Sequence, residues 1–278
     1  MSIRCVLFWL DGILSKYEDD SSLLDGLSIG VLDKFVEEGC VGQLLSLQQH
    51  DTTSLNFSQL LGFESDSDHK VTYNTFKEKY SNLSLRLITS SQSLLQDCNT
   101  KGFDSILVNN VNCKDLLNEI NKPMKEKVEM VIIHLEPVSK GLEDRRALLT
   151  TLDQTVQSLK QQQEQQQQFE TYINIVISFD SPNVTVPLTE QQQSSQQSIP
   201  STFIPPKQST QFYNGKPVEP RQTSPMFAIY SHAPWTRKDE SKSFRLDQFI
   251  RGCNGKILTI QYLKELAFKL GKIPKYGA

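Results

Sequence analysis

The segment CVLFWLDGI, residues 5–13, joins a run of apolar residues to an aspartate and a glycine. A carboxylate that follows a parallel strand lies at the edge of the sheet where α/β enzymes hold metal ions and nucleophiles. Asp11 is therefore a candidate metal ligand. The same pair of residues is also typical of tight turns, in which Asp11 would only stabilise the local backbone.

Histidine and basic residues late in the chain could serve the same edge. His232 follows the apolar run at 226–231, just beyond a predicted strand, where it is either a metal ligand or a surface residue. Arg237 and Lys238 lie in TRKDESKSFR, residues 236–245, and such cations bind phosphate through charge-assisted hydrogen bonds. The alternative is a solvated loop of mixed charge.

Two other histidines have different surroundings. His134 lies inside the apolar run VEMVIIHL at 128–135, which predicts a core histidine rather than a ligand. His50 and Asp51 precede Thr53, so an imidazole or a carboxylate could act as a base beside a hydroxyl nucleophile.

Five apolar runs rich in β-branched residues predict buried strands, and segments with helical periodicity separate them. The predicted strands are 5–10, 85–89, 128–135, 172–179 and 226–231, and the predicted helices are 30–39, 90–102, 143–159 and 258–272. Continuous apolar strands that alternate with helices are typical of a mainly parallel sheet covered on both faces. We therefore expect an α/β fold with helices on both sides of a central sheet.

Two low-complexity segments interrupt this pattern. Glutamines at 160–170 are good helix formers and are expected to extend the preceding helix. Residues 189–224 are rich in Gln, Ser and Pro and cannot bury enough apolar area to offset the entropy of ordering. The chain, residues 1–278, is thus predicted to be one domain with a disordered insertion.

The composition argues against several classes of partner. The chain of 278 residues has a formal net charge of −3 and no concentrated block of Lys and Arg, so we expect no nucleic-acid or membrane binding. Five cysteines without a C-x-x-C pair argue against a zinc module or a disulfide framework. The N-terminal apolar run is too short to cross a bilayer, so we expect a protein of the cytosol or the nucleus.

Several segments occur in an order that resembles a known superfamily. They are FWLDG at 8–12, LDKFVEEGCVGQLLSL at 32–47, FSQLLGF at 57–63, VIIHLEP at 131–137, VISFDSP at 176–182, SPMFAIYS at 224–231 and the C-terminal segment 244–272. This order is similar to that of the alkaline phosphatase superfamily, and most closely to its cofactor-independent phosphoglycerate mutase branch. The resemblance implies a three-layer α/β sandwich with an alkaline-phosphatase-like core.

The resemblance also implies roles for particular residues. Asp11 and Asp180 match metal-ligand positions, and Thr53 stands where the superfamily carries its nucleophile. In active members two divalent ions neutralise the phosphate and activate that nucleophile. The lid domain that the mutases insert after the nucleophile has no counterpart here, because only the short segment 64–83 precedes the next predicted strand.

The chain departs from the superfamily at three ligand positions. Ser181 replaces the histidine expected after Asp180, and Ser139 and Leu142 stand near the places of an aspartate and a histidine. A serine hydroxyl is a poor ligand beside an imidazole, and leucine is none. The resemblance therefore implies a degenerate metal site.

The first functional hypothesis is a non-catalytic relative that binds a protein partner and needs no cofactor. Trp9 and Trp235 are the candidates for its partner surface, because exposed tryptophan is enriched at interaction hot spots. Asp11 would then be a remnant with an uncompensated charge. On that hypothesis Asp11→Asn leaves stability unchanged or raises it slightly.

Two alternatives stay open at this point. One is a phosphohydrolase or phosphomutase that acts on a small phosphorylated compound through a single Mn, Zn or Mg ion. Its site would contain Asp11, Thr53, Asp180 and His232. The other is a scaffold that presents FIPPKQ, residues 203–208, as an extended ligand to a partner domain.

The insertion hypothesis predicts the outcome of a deletion. Removing residues 191–220 is expected to leave the thermal midpoint nearly unchanged, because the closure entropy of a loop changes by only about 0.6 kcal/mol per doubling of its length. Thermal unfolding of the deleted and intact chains measures this. A loss of several degrees would show that the segment packs on the domain.

Overall fold

A computed structural model describes residues 2–15, 23–47, 53–64, 71–126, 128–166, 169–181, 184, 212–213, 216–217, 223–231, 238–252 and 256–275. The strands in these residues are β1 (Ser2–Leu14), β2 (Cys40–Leu45), β3 (Leu85–Thr89), β4 (Asp104–Leu107), β5 (Met130–Leu135), β6 (Phe169–Phe179), β7 (Phe212–Tyr213), β8 (Lys216–Pro217), β9 (Met226–Ser231) and β10 (Lys256–Leu258). The helices are α1 (Gly30–Glu37), α2 (Thr53–Leu60), α3 (Tyr73–Lys79), α4 (Gln92–Thr100), α5 (Cys113–Lys125), α6 (Leu142–Gln166), α7 (Leu246–Arg251) and α8 (Thr259–Lys269).

Eight of the strands form one sheet in the order β10-β2-β9-β6-β1-β5-β3-β4. Strand β9 is antiparallel to β2 and β6, and the other neighbouring pairs are parallel. Strand β1 is interior, paired with β5 on one side and β6 on the other. Its C-terminal end therefore lies beside the C-terminal ends of both neighbours.

Successive residues of β1 enter two different cores because strand side chains alternate between faces. Val6, Phe8 and Leu10 pack in one core with residues of α1, α5 and α6. Leu7 and Trp9 pack in the other core with residues of α2, α3, α4 and α8. The sheet is thus covered on both faces, and the predicted three-layer α/β class is confirmed.

The five predicted strands and the four predicted helices are present, with ends shifted by a few residues. Strands β2, β4 and β10 and helices α2, α3, α5 and α7 were not among the predicted elements. Helix α6 continues to Gln166, so glutamines do prolong it as expected. Its predicted inward stripe is buried: Leu148, Leu149, Leu152, Val156 and Leu159.

Trp9 is fully buried, so its predicted place on a partner surface is wrong. The reason is that β1 is an interior strand with helices over both faces, which leaves neither side of it open to solvent. Its indole stacks on Phe57, with ring centroids 6.2 Å apart. Trp235 lies outside the described residues.

Most of the predicted insertion at 189–224 also lies outside the described residues. Within it, β7 and β8 pair as a small antiparallel ladder, so at least these few residues have regular backbone structure. Cys5, Cys40 and Cys98 are buried, and Cys253 falls outside the described residues. Among the described helices, none combines the length and the apolar composition that a bilayer crossing requires.

The packing of α6 generates a stability prediction. Leu152 is fully buried in the α6 face of the core, so Leu152→Ala is expected to lower the free energy of unfolding by about 2–5 kcal/mol. Gln154 is exposed on the same helix, and Gln154→Ala should change the free energy of unfolding by less than about 0.5 kcal/mol. Urea unfolding of both variants gives these values. Equal small effects would show that α6 does not pack as described.

Candidate functional site

A cleft of about 250 Å³ lies at the C-terminal edge of the sheet, where β1, β5 and β6 end. The described residues that line it are Asp11, Gly12, Thr53, Asn56, Glu136, Pro137, Lys140, Phe179, Asp180 and Ser181. Three of them are carboxylates and one is a cation. The predicted candidates Asp11, Thr53 and Asp180 are therefore brought together at one edge, as the sequence led us to expect.

Asp11 is held by a local distortion of β1. The pairing register between β1 and β6 shifts between Leu10 and Leu14, and Gly12 adopts a positive φ of 74°, a conformation that glycine tolerates without strain. The Gly12 N–H donates to Ser178 Oγ at 2.9 Å, and the Ser178 hydroxyl donates to Asp11 Oδ1 at 2.5 Å. The bulge thereby turns the Asp11 carboxylate into the cleft and fixes one of its oxygens.

His134 faces Asp11 across the β1–β5 pair. The register aligns Trp9 with His134, so the last residues of both strands meet at the edge. His134 Nε2 lies 3.6 Å from Asp11 Oδ2 and 3.6 Å from Glu136 Oε1. The His134 side chain is fully buried, as predicted for a core histidine, but its Nε2 has no hydrogen-bond partner among the described residues. The predicted core position of His134 is confirmed, and its Nε2 is left without the partner that a satisfied core histidine would have.

The end of β3 supports the positions of His134 and Glu136. His134 Nδ1 lies 2.9 Å from Thr89 Oγ1, which also accepts the Ser91 N–H at 3.0 Å. The Glu136 N–H donates to Ser90 Oγ at 2.9 Å. The Trp9 ring packs against the imidazole with centroids 4.3 Å apart. These contacts fix the orientation of the imidazole ring.

Thr53 begins helix α2 and points its hydroxyl into this group. Thr53 Oγ1 donates to Asp11 Oδ2 at 2.8 Å, and Glu136 Oε1 lies 3.4 Å away as a second acceptor. The next residue, Ser54, donates to Asp97 Oδ2 at 2.5 Å and so ties the start of α2 to α4. The hydroxyl predicted as the nucleophile thus contacts the carboxylate predicted as a ligand.

Asp180 lines the same cleft but lies outside the compact Asp11, His134 and Glu136 group. Its Oδ1 is buried and has no hydrogen-bond partner among the described residues. Ser181 also lines the cleft. Leu142 begins α6 and packs against the apolar core, so it offers the cleft no ligand.

The structure describes only part of the predicted basic and late histidine candidates. His232 and Arg237 lie outside the described residues, as do His50 and Asp51. Lys238 is described, is exposed, and is not among the residues that line the cleft. The cation of the described cleft lining is Lys140, which the sequence did not single out.

The donor set fits one divalent cation. Asp11, His134 and Glu136 each present one ligand atom, and the three atoms lie within 4.8 Å of one another. Ligand atoms around a tetrahedral zinc ion at about 2.1 Å lie about 3.4 Å apart, close to the 3.6 Å separations of His134 Nε2 from the two carboxylates. The unpartnered Nε2 is the kind of buried polar atom that a ligand satisfies.

The electrostatic environment favours an ionised Asp11. Burial alone would raise the pKa of the Asp11 carboxyl, but His134, Ser178 and Thr53 together lower it below its ordinary value. Desolvation thus opposes the charge of Asp11, as expected, but the charge does not lack compensation. Three neighbouring groups stabilise the carboxylate.

Glu136, and the position of His134 within a group that could hold a metal ion, are the parts of the site that the sequence interpretation missed. His134 sits among apolar residues in the chain, so its neighbours in sequence signal a core position. The available signal was the polar pair His-x-Glu at the end of a buried strand. His134 is the last residue but one of β5 and Glu136 directly follows the strand, so both reach the edge where Asp11 lies once β5 pairs with β1.

No protein-family model and no curated protein sequence matches the chain. Solved structures do. The PH0037 protein from Pyrococcus horikoshii superposes with a TM-score of 0.60 at 12% identity, over 100% of this chain and 99% of that chain. The cofactor-independent phosphoglycerate mutase from Thermoplasma acidophilum superposes with a TM-score of 0.56 at 10% identity, over 98% of this chain and 100% of that chain.

The C-terminal periplasmic domain of the phosphoethanolamine transferase EptC from Campylobacter jejuni gives a TM-score of 0.53 at 9% identity, over 98% of this chain and 90% of that chain. At such identities the likeness establishes the fold. The chain therefore has the alkaline-phosphatase-like α/β fold that its sequence resemblance implies.

The contacts of Asp11 predict that its charge stabilises the fold. Because the folded-state pKa is lowered, this stabilisation is complete above the unfolded pKa of about 4 and is lost as the pH falls through the folded value. In the presence of EDTA, Asp11→Asn should lower the free energy of unfolding at pH 7 by about 1–3 kcal/mol. The difference should shrink below about pH 4.

Urea unfolding at pH 7 and pH 3 measures both effects. Asp247 is exposed and serves as the control, since Asp247→Asn should change the free energy of unfolding by less than about 0.5 kcal/mol. An Asp11→Asn variant as stable as the wild type at pH 7, or more stable, would restore the remnant interpretation.

Proposed function

We propose that this protein, which has the fold of the cofactor-independent phosphoglycerate mutases, is a phosphohydrolase that depends on one divalent cation and uses Thr53 as its nucleophile. The observation that carries the proposal is the hydrogen bond from Thr53 Oγ1 to Asp11 Oδ2 inside the Asp11, His134 and Glu136 group. A hydroxyl in contact with a group that can hold an ion is the arrangement that phosphoryl transfer to a side chain requires.

The charge of the cleft supports a cation-dependent function. A phosphate ester in this cleft would face three carboxylates, those of Asp11, Glu136 and Asp180. Lys140 is the cation among the described lining residues. A phosphate dianion would be repelled by such an excess of negative charge. Phosphate binding in this cleft therefore needs further positive charge, which the fit of the three ligands to one divalent ion supplies.

The candidate ligands are Asp11, His134 and Glu136, and Asp180 lines the same cleft. A divalent cation bound there would act as a Lewis acid toward a phosphoryl oxygen and would favour the alkoxide form of a nearby hydroxyl. Thr89 orients the imidazole, and Ser178 orients the Asp11 carboxylate. Supports of this kind commonly fix the geometry of metal ligands.

Thr53 would form the covalent bond. In the proposed reaction Thr53 Oγ attacks phosphorus, the alcohol leaves, and water then hydrolyses the phosphothreonine to regenerate the hydroxyl. The proton of the hydroxyl has two acceptors within reach, Asp11 Oδ2 at 2.8 Å and Glu136 Oε1 at 3.4 Å. The start of α2, fixed by Ser54 and Asp97, keeps the hydroxyl in this position.

A second candidate function is binding of a phosphorylated ligand or a protein partner without turnover. It is favoured by Ser181 and Leu142, which leave two ligand positions of the two-ion superfamily site without a histidine. Among the described residues, the compact group of side chains that could hold a metal ion consists of Asp11, His134 and Glu136. A single ion binds phosphate but stabilises the attacking and leaving oxygens less completely than two ions do.

Hydrolysis of a phosphate ester distinguishes the two candidate functions. The wild type is expected to hydrolyse p-nitrophenyl phosphate or its diester in the presence of Mn²⁺, Zn²⁺ or Mg²⁺, and to lose this activity in EDTA. Thr53→Val keeps the shape of the side chain and removes the hydroxyl, so it should lower kcat at least roughly a thousandfold. Thr53→Ser keeps the hydroxyl and should retain most of the activity.

Calorimetric titration with the divalent ion measures its binding separately from hydrolysis. Thr53→Val should still bind the ion, whereas Glu136→Gln and His134→Asn should bind it at least roughly tenfold more weakly. A wild type that binds the ion and hydrolyses neither ester would favour the binding function. Hydrolysis that survives Thr53→Val at the wild-type rate would eliminate Thr53 as the nucleophile.

A further inference from the structure

The charges of the described cleft lining are unbalanced even with one divalent ion bound to its carboxylates. Asp11, Glu136 and Asp180 contribute three formal negative charges, and a divalent ion neutralises two of them. The remaining negative charge would still oppose the binding of a phosphate dianion. Among the described lining residues, the group that can balance it is the Lys140 ammonium.

A hydrogen bond places the Lys140 ammonium at the end of β6. Its Nζ donates to the Asp180 carbonyl at 3.3 Å, and Asp180 itself lines the cleft. The Asp180 backbone is fixed to β1, because its N–H donates to the Leu14 carbonyl at 2.8 Å. It also lies against the β1 bulge, since a Cβ on Gly12 would be 3.7 Å from Asp180 Cα. The ammonium is thus anchored to the strand edge that carries the candidate ion ligands.

This bond leaves the charge of Lys140 available to a ligand. The acceptor is a neutral carbonyl oxygen, so the bond does not neutralise the ammonium. An ammonium group has three donors, and it can keep this bond while it donates to a phosphate oxygen. Lys140 is exposed, so a phosphate can reach it from solvent.

The backbone around Lys140 is held independently of the lysine side chain. Arg145 is 2% exposed, and its Nη2 donates to the Lys140 carbonyl at 3.0 Å. The Ser139 hydroxyl accepts the Gly141 N–H at 3.1 Å and donates to Asp144 Oδ2 at 2.5 Å. A substitution at Lys140 can therefore remove the charge without releasing the loop that carries it.

We infer that Lys140 is a catalytic residue that supplies the second positive charge of the phosphate site, beside the single divalent ion proposed above. Its ammonium donates to a phosphoryl oxygen of the bound ester. One ion and one lysine then take the place of two ions, whose full set of ligands this chain does not contain at the matching positions. The inference rests on the proposed function, because it assumes that phosphate binds beside Thr53.

Calorimetric titration with inorganic phosphate in Mg²⁺ tests the inference without turnover, at about pH 8, where phosphate is mainly a dianion. Lys140→Met keeps the aliphatic stem and removes the charge, so it should weaken phosphate binding about tenfold. Lys140→Arg keeps the charge and should bind phosphate within about threefold of the wild type. Both variants should keep the thermal midpoint of the wild type, because the loop backbone has its own hydrogen bonds.

The charge of the substrate gives a second readout. Loss of one positive charge should cost a dianion more than a monoanion, because Coulomb attraction scales with charge. Lys140→Met should therefore lower kcat/KM for p-nitrophenyl phosphate at least about threefold more than for bis-p-nitrophenyl phosphate. A purely structural role for Lys140 would lower the two values alike.

Lys114→Met is the matched control, since Lys114 is an exposed lysine of α5 that does not line the described cleft. It should leave the phosphate affinity within about twofold of the wild type. A phosphate affinity that Lys140→Met leaves unchanged would overturn the inference. So would calorimetric binding of two Mg²⁺ ions per chain in the wild type, because a second ion would then supply the charge.

The failure of this inference and the failure of the proposed function can be distinguished. Phosphate binding that depends on Lys140, without hydrolysis of either ester, would support the phosphate-binding lysine and refute the phosphohydrolase. Hydrolysis that depends on Thr53, with a phosphate affinity and a kcat/KM that Lys140→Met does not change, would support the phosphohydrolase and refute the role of Lys140.

Discussion

The structure depends on a charge constraint at the C-terminal edge of β1 and β5. Asp11 and Glu136 both direct a carboxylate oxygen to within 3.6 Å of the fully buried His134 Nε2. Carboxylates held together in a partly desolvated cleft repel each other unless positive charge lies between them. A divalent cation held by the three side chains would supply that charge, and the proposed function follows from it. The bulge at Gly12, the hydroxyls at the end of β3 and the start of α2 all serve to maintain this arrangement.

The sequence predicts the central part of the fold because its strands are continuous apolar runs. Strands β1, β3, β5, β6 and β9 are interior, and their composition reflects burial on both faces. Strands β4 and β10 are short edge strands, and β2 is interrupted by Gly42 and Gln43, so none of these stands out from its neighbours. The order of the strands in the sheet depends on contacts between distant segments, which local patterns do not contain.

The candidate site was predictable only in part, and for a similar reason. Asp11, Thr53 and Asp180 occupy segments with a recognisable order, and the fold brings them to one edge. His134 and Glu136 lie beside Asp11 because of the register of β5 against β1, and no local pattern specifies that register. Trp9 was also predicted to lie on a partner surface, although its strand is interior. Errors of this kind arise because a residue's neighbours in the chain differ from its neighbours in space.

The presence of a cation at Asp11, His134 and Glu136 is the central claim, and anomalous diffraction tests it most directly. Crystals of the full chain grown with Mn²⁺, with data collected on both sides of the manganese absorption edge, should show one strong anomalous peak in contact with all three side chains. An empty position there, with His134 Nε2 drawn to within hydrogen-bond distance of a carboxylate, would contradict the claim. It would show that a hydrogen bond from His134 Nε2, and no cation, satisfies the carboxylate.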